Sequence, residues 1–349
     1  MTMGIFFAHK YDNIISLGNL LKAWPEFLND KRNRLDIQEF QRHLMDNIFS
    51  LHADLKNKTY KHSNYQAFKI NDPKPRDIHK ASVKDRLCHH AIYRILYPYF
   101  DKKFIYDSYS CRLDKGTHKA MELFRYFFRK VSKNNTKTCW VLKCDIRKFF
   151  ASIDHEILKE ILSKYLFDKD TLWLLGQVID SFETKCSTPS VQHIYAMADM
   201  KKGLPLGNLT SQLLVNIYMN EFDQFMKHKL KVKYYIRYAD DFVILSEDKT
   251  ELDNLLRYID VFLRDQLKLN LHPDKVYIRT ISSGVDFLGW VHFPKHRVLR
   301  GATKRRMFRN LVKNLKPNAI SSYLGMLSHG NGFKLKKKIT NDTPFIIEV

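Results

Sequence analysis

Arg237-Tyr238-Ala239-Asp240-Asp241-Phe242-Val243-Ile244-Leu245 sets two adjacent carboxylates inside an otherwise apolar, β-prone run. Tyr234 to Ile236 lead in and Phe242 to Leu245 lead out, so the pattern predicts two strands joined by a turn at the acids. Burying two anions at a hairpin tip is costly unless cations compensate them. A divalent ion removes the objection, because hard cations take carboxylate oxygens together with substrate phosphates. Taken alone, the motif is equally compatible with a solvated turn that happens to read Asp-Asp.

A second acidic strand changes that balance. Trp140-Val141-Leu142-Lys143-Cys144-Asp145 is another apolar run ending in an aspartate, followed by Ile146-Arg147-Lys148-Phe149-Phe150. Three carboxylates from two strand ends can hold two metal ions, a pair that stabilises both the attacking and the leaving oxygen of an in-line phosphoryl displacement. Asp154 and His155 invite reading as an acid–base pair. The pattern Ile153-Asp154-His155 is instead a helix start with Asp154 as N-cap, and both residues are assigned to structure.

Here the chain resembles a family. Asp145 with Phe149 and Phe150, and Tyr238-Ala239-Asp240-Asp241 further along, are similar to the metal-binding strands of reverse transcriptases. Between them, Gly203-Leu204-Pro205-Leu206-Gly207-Asn208-Leu209-Thr210-Ser211-Gln212 and then Asn216-Ile217-Tyr218 match the family's nucleotide-pocket loop and the helix after it. Arg76, Asp85-Arg86 and Ser108-Tyr109-Ser110-Cys111-Arg112 resemble its fingers motifs. Leu269-Asn270-Leu271 with Lys275, and Phe287-Leu288-Gly289-Trp290, resemble its later palm motifs. The resemblance runs from residue 45 to 335 with the motifs in family order. It implies an α+β right-hand polymerase fold: fingers, a palm of antiparallel sheet backed by helices, and a short helical thumb. The expected bounds are an N-terminal segment at 1–35, fingers at 36–138 with parts of 156–202 packing on the palm, palm at 139–292, thumb at 293–339 and a tail at 340–349.

The same resemblance assigns roles. It implies an RNA-directed DNA polymerase with two Mg²⁺ ions, Mn²⁺ substituting, at Asp145, Ile146, Asp240 and Asp241. Lys74 or Arg76 contacts phosphate, and an Arg fork suits phosphate better than Lys. Arg147, Lys148, Phe149, Phe150, Pro205, Leu206, Gly207 and Gln212 complete the nucleotide site, with Phe150 as the ring that excludes a ribose 2′-hydroxyl. Lys275 matches a lysine that protonates departing pyrophosphate. Tyr238 and Phe287-Leu288-Gly289-Trp290 face the primer. Arg305, Arg306 and Arg309, joined by Lys313, form a basic face of the thumb. Template RNA, the RNA/cDNA duplex and dNTPs are the implied partners, and no RNase H or endonuclease domain is expected.

A narrower resemblance concerns the pocket loop. Group II intron and retron enzymes usually carry Pro-Gln-Gly there. Pro205-Leu206-Gly207 followed by Ser211-Gln212 is similar to the reverse transcriptases of diversity-generating retroelements, as is Ser322-Tyr323-Leu324-Gly325-Met326-Leu327-Ser328-His329. This implies a cytoplasmic bacterial, archaeal or phage-encoded enzyme copying a template-repeat RNA, errors opposite template adenines, and a small basic helical accessory protein. A defence or retron-like enzyme and a non-catalytic, maturase-like RNA-binding protein are the alternatives. Intact aspartates argue against the silent form.

Composition agrees with a polyanionic partner. The 349 residues carry 59 basic and 37 acidic side chains, a formal charge of +22 that exceeds what a solvated face requires. From Val291 to Thr340 there are 13 Lys or Arg and no Asp or Glu. The 24 Phe and 18 Tyr suit both a core and base stacking. Five cysteines without metal-ligand spacing read as reduced, buried thiols. The N-terminus lacks a signal-peptide pattern, and no apolar run approaches the roughly 20 residues of a membrane span. Helices are expected over 36–57, 84–97, 116–131, 170–182, 209–228, 248–267 and 303–315, a hairpin over 64–80 and an irregular stretch over 183–200.

Overall fold

A computed structural model describes residues 10–70, 75–184, 201–313 and 317–342. Contacts divide the chain into two compact units: residues 1–111, 146–231 and 259–271 in one, 112–145, 232–258 and 272–349 in the other. This partition cuts across the sequential bounds expected above. The reason is antiparallel pairing, which brings strands from distant parts of the sequence into one sheet.

The first unit is mainly helical. Trp24 and Phe27 of the Leu17–Leu28 helix are buried. The single helix expected over 36–57 is two, Leu35–Arg42 and Leu44–Lys56, parted at His43, where ψ turns to 37°. The Val83–Asp101 helix is longer than expected and starts at Ser82, whose hydroxyl accepts the Asp85 N–H. Asp85 is fully buried and takes hydrogen bonds from the Tyr60 hydroxyl at 2.8 Å and the Ser63 amide at 3.1 Å. The expected hairpin forms from β1 (Gln66–Ile70) and β2 (Arg76–Lys80). Asp154 caps the His155–Tyr165 helix, and a His155 ring nitrogen lies 2.7 Å from the Gly203 carbonyl, so both are structural. The Leu209–Gln224 helix is buried on most of its faces, with Asn216, Asn220 and Asp223 among the buried residues, and changes to a π turn over Phe225–Lys229.

The second unit holds a four-stranded antiparallel sheet of β3 (Trp140–Asp145), β4 (Tyr235–Tyr238), β5 (Asp241–Ser246) and β6 (Tyr277–Thr280), in the order β4-β5-β3-β6. The Thr117–Val131 helix packs against β4 and β5 and buries Met121, Phe124, Phe127 and Phe128. A smaller sheet joins β7 (Val285–Phe287), β8 (Trp290–His292) and β9 (Arg297–Leu299). Three terminal helices, Gly301–Lys313, Pro317–Leu327 and Phe333–Asp342, share a core of Met307, Leu311, Ile320, Leu327 and Ile339 with Trp290 and Leu299. Cys88, Cys139 and Cys144 are buried thiols, whereas Cys111 is exposed against expectation. Among the described residues no helix is long and apolar enough to cross a membrane.

Candidate active site

The acidic run folds as its alternation predicts. β5 lies between β4 and β3, and the register sets Asp145 directly opposite Asp241 and Tyr238 opposite Asp241. Side chains directly opposite in a strand pair lie on one face, so the ends of β3 and β5 present their carboxylates together. Ala239 and Asp240 make the two-residue turn, with Ala239 at φ 55°. A β-carbon is unfavourable there by roughly 1–2 kcal/mol. The turn is held from beneath by Arg237, a fully buried arginine whose Nη1 donates to the Ala239 carbonyl at 3.1 Å.

Two lysines attend the acids. Lys143 Nζ stands 3.1 Å from Asp241 Oδ1, and Lys275 Nζ stands 2.8 Å from Asp145 Oδ1. Burial pushes the Asp241 carboxyl up to about 7; Asp240 and Asp145 add to the rise, and Lys143 opposes it. Burial alone would lower Lys143, yet Asp241 holds its ammonium above the usual lysine range. Asp241 Oδ1 is buried and lacks an aligned hydrogen-bond donor despite the nearby ammonium. A buried, hard carboxylate oxygen on the residue that faces Asp145 across the strand pair fits a divalent cation. The acids are nevertheless not drawn into a closed ligand set, for among the described residues no three His, Cys, Asp or Glu side chains are so grouped.

Lys143 and Arg237 were not singled out in the sequence. The signal for Lys143 was present: it lies two residues before Asp145 in an apolar strand, hence on the same face. Arg237 carried no comparable signal, because a cation flanking an acidic turn reads as solvated.

The smaller sheet positions the expected primer turn. Phe287 pairs with Trp290 across a two-residue hairpin, and Leu288 (φ 52°) and Gly289 (φ 84°) both take positive φ, as type I′ turns require. Phe287 and Trp290 are buried anchors, so the turn presents backbone rather than these side chains. The Gly289 carbonyl accepts the Arg300 amide at 3.0 Å. Tyr238 is half-buried, its hydroxyl 3.4 Å from Thr117 Oγ1. On the Gly301–Lys313 helix, Arg305 and Arg309 are exposed and Arg306 is half-buried. The Lys313 side chain lies outside the described residues, as do Lys74 and residues 185–200.

The expected nucleotide residues are gathered within the other unit. The Leu204 amide donates to the Phe150 carbonyl at 2.8 Å, and the His79 amide to the Leu206 carbonyl at 3.2 Å. These bonds tie the Phe149–Ser152 turn, the pocket loop and β2 together. Gly207 has φ 110°, which favours glycine, and a β-carbon there would sit a tight 3.2 Å from Ile78 Cγ2. Leu206 and Gln212 are half-buried and Arg76 is exposed. Phe150 is half-buried, whereas Phe149, 4 % exposed, belongs to the core rather than a binding surface. Pro205 is likewise buried. Ile146 is buried and bridges Leu271, while Arg147 and Lys148 are exposed.

A family model described as reverse transcriptase (RNA-dependent DNA polymerase) matches residues 68–292, more than half of the chain, and the chain belongs to that family. The fold is accordingly α+β and of the right-hand polymerase kind. Among individual proteins it is similar to Protein YkfC of Escherichia coli, 25% identical, with 63% of this chain and 62% of that protein covered. It is also similar to the group II intron-encoded protein LtrA of Lactococcus lactis subsp. cremoris, 22% identical, covering 71% and 50%. The putative COX1/OXI3 intron 2 protein of Saccharomyces cerevisiae is 23% identical, covering 57% and 30%. The chain thus spans less than two-thirds of the length of these relatives. A solved structure of apo telomerase from Candida tropicalis, truncated from its C-terminal domain, aligns with a TM-score of 0.49 at 13% identity, covering 74% of this chain and 60% of that one.

Proposed function

We propose that the chain is an RNA-directed DNA polymerase that extends a primer with dNTPs on an RNA template. The observation that carries this reading is the register that sets Asp145 opposite Asp241 with Asp240 in the intervening turn. Asp145, Asp240 and Asp241, with the Ile146 backbone beside them, would hold two magnesium ions, manganese substituting. When bound, these ions would activate the primer 3′-hydroxyl and stabilise the departing pyrophosphate. The protein's own contribution is positional. Lys143 sets an ammonium on Asp241 and Lys275 sets one on Asp145. Lys275 is a proton donor toward pyrophosphate once it leaves Asp145. Arg76, with Lys74 as its alternative, and Arg147 and Lys148 meet the triphosphate. Pro205, Leu206, Gly207 and Gln212 shape the base-pair pocket. The Phe150 ring fills the volume of a 2′-hydroxyl, and Phe149 supports it from the core. Tyr238 and the Leu288–Gly289 turn, anchored by Phe287 and Trp290, meet the primer. Arg305 and Arg309, more than Arg306, meet duplex phosphates.

Within that activity we assign the enzyme to the diversity-generating retroelement type. It would copy a template-repeat RNA with frequent errors at adenines, alongside a small basic helical accessory protein. Leu206 supports this, since an aliphatic side chain where relatives carry an amide leaves selection to shape, which discriminates weakly. The similarity to a group II intron-encoded protein favours a second reading, an accurate intron-type or retron-like enzyme. Sequencing cDNA made on RNA from the chain's own locus with dNTPs and Mg²⁺ separates them. Errors concentrated at adenine uphold the first reading and uniform accuracy upholds the second. No cDNA, from a protein that still binds RNA, overturns both.

A further inference from the structure

The Ser322–His329 motif is not used by the polymerase reading. Its apolar members build the core of the terminal helices, with Leu327 buried and Tyr323, Leu324 and Met326 packed around it. Its end does something else. Ser328 and His329, with Gly330 and Asn331, line a cavity of about 390 Å³ whose other walls are the Thr117–Val131 helix and the β8–β9 loop. A cavity of that size is within the range of small-ligand sites.

The walls have one charge and many rings. Arg125, Lys295 and Arg297 line the cavity, and no Asp or Glu does. Arg297 is fixed: its Nε donates to the His329 carbonyl, its own carbonyl accepts the Asn331 amide at 2.9 Å, and its guanidinium lies over the Trp290 ring. Arg125 and Lys295 are exposed, and among the described residues neither has a carboxylate within ion-pairing distance. Burial and then the like charge of Arg125 lower the Arg297 pKa, with Glu122 the nearby acid that opposes them. Flat surfaces are supplied by Phe293 stacked on His296, centroids 5.0 Å apart, and by His329 stacked on His118 at 3.6 Å. His292, against Phe124, is held neutral by burial, its pKa down at about 4. The cavity is thus lined by cations interleaved with rings.

We propose that this cavity binds one nucleotide of an unpaired nucleic-acid strand, its phosphate among Arg125, Lys295 and Arg297 and its base on the Phe293–His296 stack. Uncompensated cations interleaved with stacking rings are the chemistry that recognises single strands. The site is separate from the carboxylate cluster and does not depend on the polymerase assignment. Its floor touches the expected primer turn: a β-carbon at Gly330 would fall 2.1 Å from the Trp290 ring, so the cavity rim and that anchor are in van der Waals contact.

The experiment uses the full chain in EDTA. Binding of a labelled, unpaired RNA about ten nucleotides long is compared for wild type, the double variant Arg125→Glu/Lys295→Glu, and the control Arg129→Glu/Lys130→Glu. The control makes the same charge change at exposed positions outside the cavity. The cavity pair should weaken binding by about tenfold or more and the control by about twofold at most. RNA carrying 4-thiouridine should photo-crosslink to peptides containing Phe293 or His329. Adenosine monophosphate competing for the site identifies free nucleotides as a second source of the ligand. Failure to compete, with the cavity pair still selectively weakened, restricts the source to strands. Equal weakening by both pairs, weakening by neither, or crosslinks only elsewhere overturns the proposal.

Discussion

Asp145 and Asp241 face each other across a strand pair, and each has an ammonium within 3.1 Å. Asp145→Asn or Asp240→Asn keeps the shape but removes a charge. Either should reduce cDNA synthesis by roughly a thousandfold or more while RNA binding, measured on the same preparations, stays near wild type. Near-normal primer extension by either variant would remove the site assignment. Phe150→Ala should admit ribonucleotides, read by extension assays with rNTPs in place of dNTPs; unchanged sugar selectivity returns the ring to the core. Leu206→Gln should lower errors opposite adenine more than opposite other bases, read by deep sequencing of cDNA from one template. Equal error rates in variant and wild type would clear Leu206 of that role. At this scale the acids were legible because charge in an apolar strand demands an explanation. Lys143 was legible only in hindsight of the face it shares with Asp145, and Arg237 not at all, since burial of a turn-flanking arginine is decided by what packs on it.

Elements were readable wherever periodicity ran unbroken. The acidic hairpin, the Thr117–Val131 helix and the Asp154 cap formed as their patterns dictated. The break at His43 and the π turn at Phe225 carry neither Gly nor Pro, so local propensity gave no signal of them. The pocket loop provides the test at this level. Gly207→Ala places a β-carbon at φ 110° and against Ile78. The strain should cost about 1–3 kcal/mol in denaturant unfolding, and the half-saturating dNTP concentration should rise. If stability and dNTP dependence both stay unchanged, the loop conformation described here is not the one that works.

Across the whole molecule, charge was the plainest signal and domain bounds the faintest. A surplus of 22 positive charges announces a polyanion. Hydrophobic patterning cannot say which distant strands will pair, so the two contact units were not foreseen. Binding to an RNA/DNA duplex should weaken steeply with salt, because phosphate contacts release counterions. Replacing both Arg305 and Arg309 with Gln should reduce the slope of log K against log salt by roughly 1–2, and Arg306→Gln should reduce it less, since that side chain is half-buried. Unchanged slopes would show that this helix face does not meet phosphate.

The two lysines on the carboxylates have a consequence for how the protein is handled. A cluster that carries its own counter-ions does not need an external cation in order to fold. Chelation should therefore silence synthesis yet leave the thermal unfolding midpoint where it was, which scanning fluorimetry with and without EDTA can read. A divalent cation bound at Asp145 and Asp241 would compete with the ammonium groups already seated on them. The lysines would then raise the cation concentration needed to fill the site, as a resident counter-ion does on a resin.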